Sequence, residues 1–89
     1  MSVINLDGSE YELEHLSDTA RQQLIYIHHI DERLLEIRST LVIYQVAGKG
    51  LVGGDRESVE AKIQECHLET AMLNAARGQF LKSFRDSLN

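Results

Sequence analysis

Four charged side chains flank a glycine-rich stretch, and their types are those that hold a small anionic ligand. They are Arg38, Lys49, Arg56 and Glu57. Arginine and lysine pair with carboxylates or phosphates, and Glu57 would line the same site between the helices. A deep pocket containing at least two of the cations would favour a ligand site, whereas their scattering into solvent would argue against one.

The histidines and the single cysteine do not form a metal-binding pattern. His28 and His29 are adjacent, and neighbouring side chains on a helix point in different directions. His28 and Glu32 are better spaced, but zinc requires three or four converging ligands. Cys66 falls on an apolar helical stripe, which is typical of a small core residue. We therefore predict no metal, no cofactor and no catalytic residue.

One enzyme class gives an alternative hypothesis. Residues 30–35 (IDERLL), 48–49 (GK) and 55–57 (DRE) superficially resemble the all-helical chorismate mutases. Those enzymes bind a dicarboxylate with arginines and lysines that project from helices. The arginine that the resemblance requires beyond Asp31 falls near Thr40 and Leu41, which are uncharged. Carboxylates left unpaired in a dry pocket would cost several kcal/mol.

Length, charge and hydropathy narrow the class of protein. The chain has 89 residues, and we place a single domain over 1–89. The net charge is −5, and residues 1–19 contain five acidic side chains and no Lys or Arg. Nucleic-acid binding needs clustered basic residues and is not expected. Without a long apolar run or a recognisable secretory signal, and with one cysteine, the chain is expected to be cytoplasmic, with no membrane partner.

Residues 2–14 have the pattern of a β-hairpin. Asp7-Gly8 is a strong signal for a two-residue type I′ turn. One face of the hairpin is then apolar, and the other carries Glu10 and Glu12. A two-stranded hairpin is barely stable alone, so its apolar face must lie on the helices or on a second copy. The predicted cross-strand pairs are Leu6 with Ser9, Ile4 with Tyr11, and Ser2 with Leu13.

A first helix is predicted over 17–47, with Ser17 as its N-cap. Leu24, Leu35 and Val42 lie beside an a/d seam of coiled-coil type and widen its apolar stripe. We therefore expect this helix to contact more than one neighbour. The seam consists of two series of residues seven apart: Ala20, Ile27, Leu34 and Leu41, and Ile30, Ile37 and Tyr44.

A glycine-rich turn is predicted over 48–54 and a second helix over 55–88. Gly48 is expected to end the first helix in the left-handed conformation, and Asp55 to cap the second. The turn lacks the spacing and the preceding strand of a phosphate-binding loop. Thr70 and Arg77 interrupt the apolar stripe of the second helix, whose members are Val59, Ile63, Cys66, Leu73, Ala76, Phe80 and Phe84.

Three segments carry recognisable motifs. Residues 4–11 (INLDGSEY), 16–24 (LSDTARQQL) and 41–47 (LVIYQVA) contain an LDG-x-x-Y hairpin, an LSD-x-A-x-x-QL helix start and a YQ-x-A helix end. Over about residues 4–47 the chain resembles a family of small uncharacterised proteins from marine cyanobacteria and their phages. The resemblance implies a bacterial or phage setting and no particular activity. After Ala47 the chain departs from the family.

The predicted fold is mostly α: an N-terminal β-hairpin followed by two long antiparallel helices. Two helices cannot cover the first helix on both sides, so we expect two copies to pair into a four-helix bundle, with a dimer favoured over larger homo-oligomers. The leading hypothesis is a non-enzymatic interaction or assembly module, and the alternative is a ligand-binding or chorismate-mutase-like helical protein. The predicted packing and interface residues are Leu24, Ile27, Ile30, Leu34, Leu35, Ile37, Leu41, Val42 and Tyr44.

Overall fold

The computed structural model describes residues 2–88 and shows a β-hairpin packed on one end of a long helical hairpin. The predicted fold class and order of elements are confirmed. The molecule measures 56 × 23 × 18 Å, and its radius of gyration of 17.6 Å exceeds the value of about 12 Å expected for a compact chain of this length. The elements are β1 (Val3–Leu6), β2 (Ser9–Glu12), a 3₁₀ turn (Leu13–His15), α1 (Asp18–Gly48) and α2 (Gly53–Ser87).

The β-hairpin closes at the predicted turn. Asp7 (φ 50°) and Gly8 (φ 89°) both adopt the left-handed conformation that a type I′ turn requires. The predicted pairs of Leu6 with Ser9 and of Ile4 with Tyr11 are observed. The strands are shorter than the predicted 2–14, because Leu13 begins the 3₁₀ turn that leads the chain into α1. The Leu13 N–H still donates to the Ser2 carbonyl at 2.9 Å.

The start of α1 is where the sequence predicts it, but its end is different. The Ser17 hydroxyl accepts a hydrogen bond from the Ala20 N–H at 3.1 Å, as expected of an N-cap. The predicted left-handed ending at Gly48 is wrong, since Gly48 is the last helical residue and Lys49 caps the helix with φ −62° and ψ −30°. The Lys49 N–H donates to the Val46 carbonyl at 3.3 Å, so a tightened last turn ends the helix.

The connection between the helices is shorter than predicted. It consists of residues 49–52 only, because α2 begins at Gly53. The left-handed residue is Gly53 (φ 64°), which turns the chain into α2. Asp55 was expected to cap this helix and instead lies in its first turn, where its charge favours the positive end of the helix dipole. Val52 occupies the N-cap position without a side-chain hydrogen bond.

The core lies at the end of the molecule where the hairpin packs. Phe84 of α2 is fully buried, and Tyr11 of the hairpin contacts its ring edge-on at a centroid distance of 5.0 Å. Leu24 is also buried in this cluster. The position of Leu24 beside the seam predicts a second chain as its neighbour, but the chain's own hairpin covers it instead. The buried cluster consists of Leu6, Ala20, Leu24, Ile27 and Phe84.

Candidate interaction surface

A groove runs along one side of the helix pair, and the β-hairpin lies in one end of it. We call it the hairpin groove. The hairpin contacts the end next to Leu24 and Leu81, and the rest of the groove is open. Residues seven apart fall on the same side of packed helices, so each wall is a column that continues from the covered part into the open part. The α1 column is Leu24, Asp31, Arg38 and Gln45, and the α2 column is Leu81, Asn74, His67 and Glu60.

Arg77 lies where the covered part meets the open part. Its Nε donates to Asp31 Oδ1 of α1 at 2.7 Å, and its Nη2 donates to Asp7 Oδ1 of the hairpin turn at 3.1 Å. Hydrogen bonds to Asp31 and then to Asp7 raise the pKa of the guanidinium above its ordinary value. Only 21% of the side chain is exposed. Arg77 therefore joins three elements and holds the hairpin turn toward the open part.

The sequence showed Arg77 only as an interruption of an apolar stripe. A cation at a core position needs an acidic partner, because a half-buried charge is costly when unpaired. The stripe therefore contained a signal that acidic side chains would converge there. Asp31 beside the seam of α1 and Asp7 in the hairpin turn were both available as partners.

Two cavities make up the open part of the hairpin groove. The one nearer the hairpin has a volume of about 210 Å³, and the one nearer the helix connection about 170 Å³. The first is lined by Leu34, Ile37, Arg38, Leu41, His67, Thr70 and Asn74. The second is lined by Gln45, Gly48, Lys49, Arg56, Val59, Glu60 and Ile63.

The structure brings together only part of the predicted ligand site. Lys49 and Arg56 line the same cavity, Arg38 lines the neighbouring one, and Glu57 lines neither. Lys49 and Arg56 are both exposed, and the Arg56 Nε donates to Glu60 Oε1 at 3.2 Å. The three cations are spread along an open groove and do not converge on one point. This arrangement fits an extended acidic surface better than a small ligand.

An ion pair spans the opposite groove of the helix pair. The Arg33 Nε donates to Glu69 Oε2 across the helices at 2.7 Å, and hydrogen bonds to Glu69 and then Glu36 raise the pKa of Arg33. Cys66 and Tyr44 are half-buried and line a cavity of about 180 Å³ beside this pair. Within residues 2–88 no three His, Cys, Asp or Glu side chains are grouped so as to bind a metal.

The predicted packing residues divide into two groups. Most are directed toward α2 or the hairpin. Leu35 and Val42 are instead 62% and 52% exposed, and Val46, one turn beyond Val42, is 62% exposed. These side chains lie along α1 beyond the part that the hairpin covers. The buried members are Leu24, Ile27, Ile30 and Ile37, and the half-buried members are Leu34, Leu41 and Tyr44.

The chain matches no family model, no curated protein and no solved structure with which it was compared. Over residues 2–88, neither helix has an apolar stretch that would allow it to cross a membrane. The functional interpretation therefore rests on the geometry and chemistry of the surfaces described above.

Proposed function

We propose that this chain is a non-enzymatic assembly module that pairs with a second copy of itself, so that the dimer contains four helices in two pairs. The supporting observation is the amount of surface that one chain leaves exposed. The accessible surface is 6388 Å², whereas a folded monomer of 10.1 kDa is expected to expose about 5,300 Å². The excess of about 1,100 Å² is larger than the ~800 Å² that each partner buries in a standard interface.

The exposed apolar side chains of α1 support the same proposal. Leu35, Val42 and Val46 lie on one side of the helix, in the half that the hairpin leaves uncovered. Burying apolar surface contributes about 25 cal/mol per Å², so covering this row would stabilise a pair of chains by several kcal/mol. The setting that we propose is a bacterial or phage cytoplasm. The resemblance over residues 4–47 and the single cysteine support that setting.

A second candidate function is the binding or conversion of a small dianion, as in the chorismate-mutase-like alternative. The observation in its favour is that Lys49 and Arg56 line one cavity. Calorimetric titration with a dicarboxylate would test it. Saturable binding that Lys49→Ala and Arg56→Ala each weaken at least tenfold would support this alternative, and an absence of heat would exclude it for that class of ligand.

The molar mass in solution tests the assembly proposal directly. Light scattering or sedimentation equilibrium at micromolar concentrations is expected to give twice the 10.1 kDa of one chain. Dilution should shift the mass toward that of one chain, because dimerisation follows mass action. The mass of a single chain throughout the micromolar range would contradict the proposal.

A further inference from the structure

We infer that, in the pair of chains, the acidic outer face of each β-hairpin lies in the open part of the other copy's hairpin groove. The two copies then pack antiparallel with their grooves facing each other, and the two hairpins lie end to end between the helix pairs. This geometry rests on the proposed self-pairing and specifies which surfaces meet. Four observations support it: the charges, the change in the groove walls, the available length and the exposed apolar residues.

The charges of the two surfaces are complementary. Glu10 and Glu12 lie on the face of the hairpin that points away from its own helices, and residues 1–19 carry no Lys or Arg. The charged lining residues of the open part are three cations and one acid: Arg38, Lys49, Arg56 and Glu60. Opposite potentials on facing surfaces select a partner and its orientation. An acidic hairpin therefore fits the open part.

The groove walls change character where the chain's own hairpin ends. Under the hairpin, the wall columns present Leu24 and Leu81, which pack against its apolar inner face. Further along the same columns, the corresponding residues are Arg38 and His67. A second apolar surface would leave these polar groups without partners, at a cost. A polar outer face with carboxylates would instead pair with them.

The length of the open part suits a second hairpin. The four residues of each strand span about 14 Å at about 3.4 Å per residue. The stretch of α1 from Leu34 to Gly48 spans about 21 Å at 1.5 Å per residue. Asp7 contacts Arg77, so the hairpin turn points toward the open part. A two-fold rotation about the middle of the groove then places the two turns opposite each other.

Apolar contacts and charge repulsion also favour hairpin-in-groove packing. Val3 is 52% exposed on the outer face of the hairpin, and Leu35 and Val42 lie on the α1 side of the open part. Direct contact between two open grooves would instead bring the cations of both copies together, which is unfavourable. The outer face of α2, with Leu68 and Met72, does not line the hairpin groove and remains outside this interface.

Two charge-reversal variants test the inference. The variant Glu10→Lys/Glu12→Lys reverses the hairpin face, and Lys49→Glu/Arg56→Glu reverses the groove. Each is expected to raise the dimer Kd at least tenfold in sedimentation velocity, because each sets like charges against each other at both symmetric contacts. An equimolar mixture should restore a heterodimer with a Kd close to that of the native pair, since every hairpin then meets a groove of opposite charge.

Matched controls carry the same changes of charge elsewhere. Lys62→Glu/Lys82→Glu matches the groove variant, and Glu57→Lys/Asp86→Lys matches the hairpin variant; all four residues are exposed and lie outside the hairpin groove. These controls should change the Kd less than threefold, and mixing them should have no further effect. Circular dichroism of every variant checks that the helices and the hairpin remain folded.

The outcomes separate this inference from the assembly proposal. A native chain that remains monomeric contradicts both. A native dimer that the reversals weaken no more than the controls do, or that mixing fails to restore, contradicts the hairpin-in-groove geometry and leaves the assembly proposal standing. If one reversal variant does not fold, the other variant is mixed with the native chain. That heterodimer has one hairpin–groove contact of opposite charge and one of like charge. It should therefore be weaker than the native dimer.

Discussion

The two halves of the helix pair bury their surfaces to different extents, although the same two helices form both. At one end the β-hairpin covers the groove, and Leu24, Ile27 and Phe84 are buried with exposures of 1% or less. At the other end no part of residues 2–88 covers the groove, and the flanking residues of α1, Leu35, Val42 and Val46, are more than half exposed. The seam residue Ile37 is still buried in the open half, but the buried cluster around Phe84 extends only as far as the hairpin does.

The difference in burial between the two halves arises from the residues in the wall columns of the hairpin groove. The same two helices continue through both halves. The seam of α1 keeps its apolar residues seven apart through both halves, from Ala20 to Tyr44. Beside the seam, the α1 column changes from leucine under the hairpin to arginine and glutamine beyond it, and the α2 column changes from leucine to histidine and glutamate. Burial within one chain thus accounts for the covered half, whereas the polar and apolar surface of the open half is suited to a further partner.

The largest expected effect is a loss of stability in the covered half. Replacing Phe84 by alanine removes a fully buried ring and its edge-on contact with Tyr11, so the free energy of unfolding should fall by about 3–5 kcal/mol. Leu41→Ala is the matched change in the open half, where the side chain is only half-buried, and should cost about 1–2 kcal/mol. Urea unfolding at one protein concentration measures both. Equal losses would show that the two halves are equally well packed.

The second largest expected effect is weaker dimerisation, caused by substitutions in the open half. The double change Leu35→Ser/Val42→Ser removes exposed apolar surface, so it should leave the isolated chain as stable as before. It should weaken the dimer by about 2 kcal/mol, which is roughly a thirtyfold rise in Kd. Leu68→Ser/Met72→Ser on the outer face of α2 is the control. Sedimentation equilibrium would contradict the assignment if the control weakened association more.

Most of the covered half could be predicted from the sequence, because its signals are local. The Asp7-Gly8 turn, the Ser17 cap and the seven-residue spacing of α1 each specify an element through nearby residues. The exact ends of the connection between the helices could not be predicted, since glycine at several neighbouring positions permits more than one place for a left-handed residue. In the structure Gly53 adopts the left-handed conformation, and Gly48, Gly50 and Gly54 do not.

The candidate surface was predictable only in part, for a related reason. The sequence identifies Arg38, Lys49 and Arg56 as cations that flank the glycine-rich stretch, but their spacing along the groove depends on the pairing of the two helices. The position of the hairpin on the Leu24 side of α1 was likewise not encoded by any short motif. The contacts of Arg77 with both Asp31 and Asp7, together with the packing of Tyr11 on Phe84, show how the hairpin is fixed.

The third effect is expected at the boundary between the halves. Arg77→Met keeps the aliphatic stem but removes the hydrogen bonds to Asp31 and Asp7, so unfolding should become easier by about 1–2 kcal/mol. The amides of the hairpin should then exchange with solvent before those of the helices do, because Asp7 in the hairpin turn no longer has its partner. Arg33→Met is the comparison: its partners are on the solvent-exposed side of the other groove, and the unfolding midpoint should scarcely change. Hydrogen exchange that is unaltered in residues 3–12 of Arg77→Met would contradict this role.

The smallest expected effect compares two helical glycines, one beside the covered half and one at the end of the open half. A Cβ added at Gly78 would meet nothing within 4 Å, so Gly78→Ala should raise the free energy of unfolding by about 0.5–1 kcal/mol through lost freedom in the unfolded chain. At Gly48 the added Cβ would lie 3.3 Å from Val59 Cγ1. Val59 would have to move, and this offsets part of the increase in the free energy of unfolding. Thermal unfolding of the two variants at equal concentration should therefore rank Gly78→Ala above Gly48→Ala and above the native chain. The reverse order would mean that the helices separate freely near their connection, and that the open half is looser than its cavities indicate.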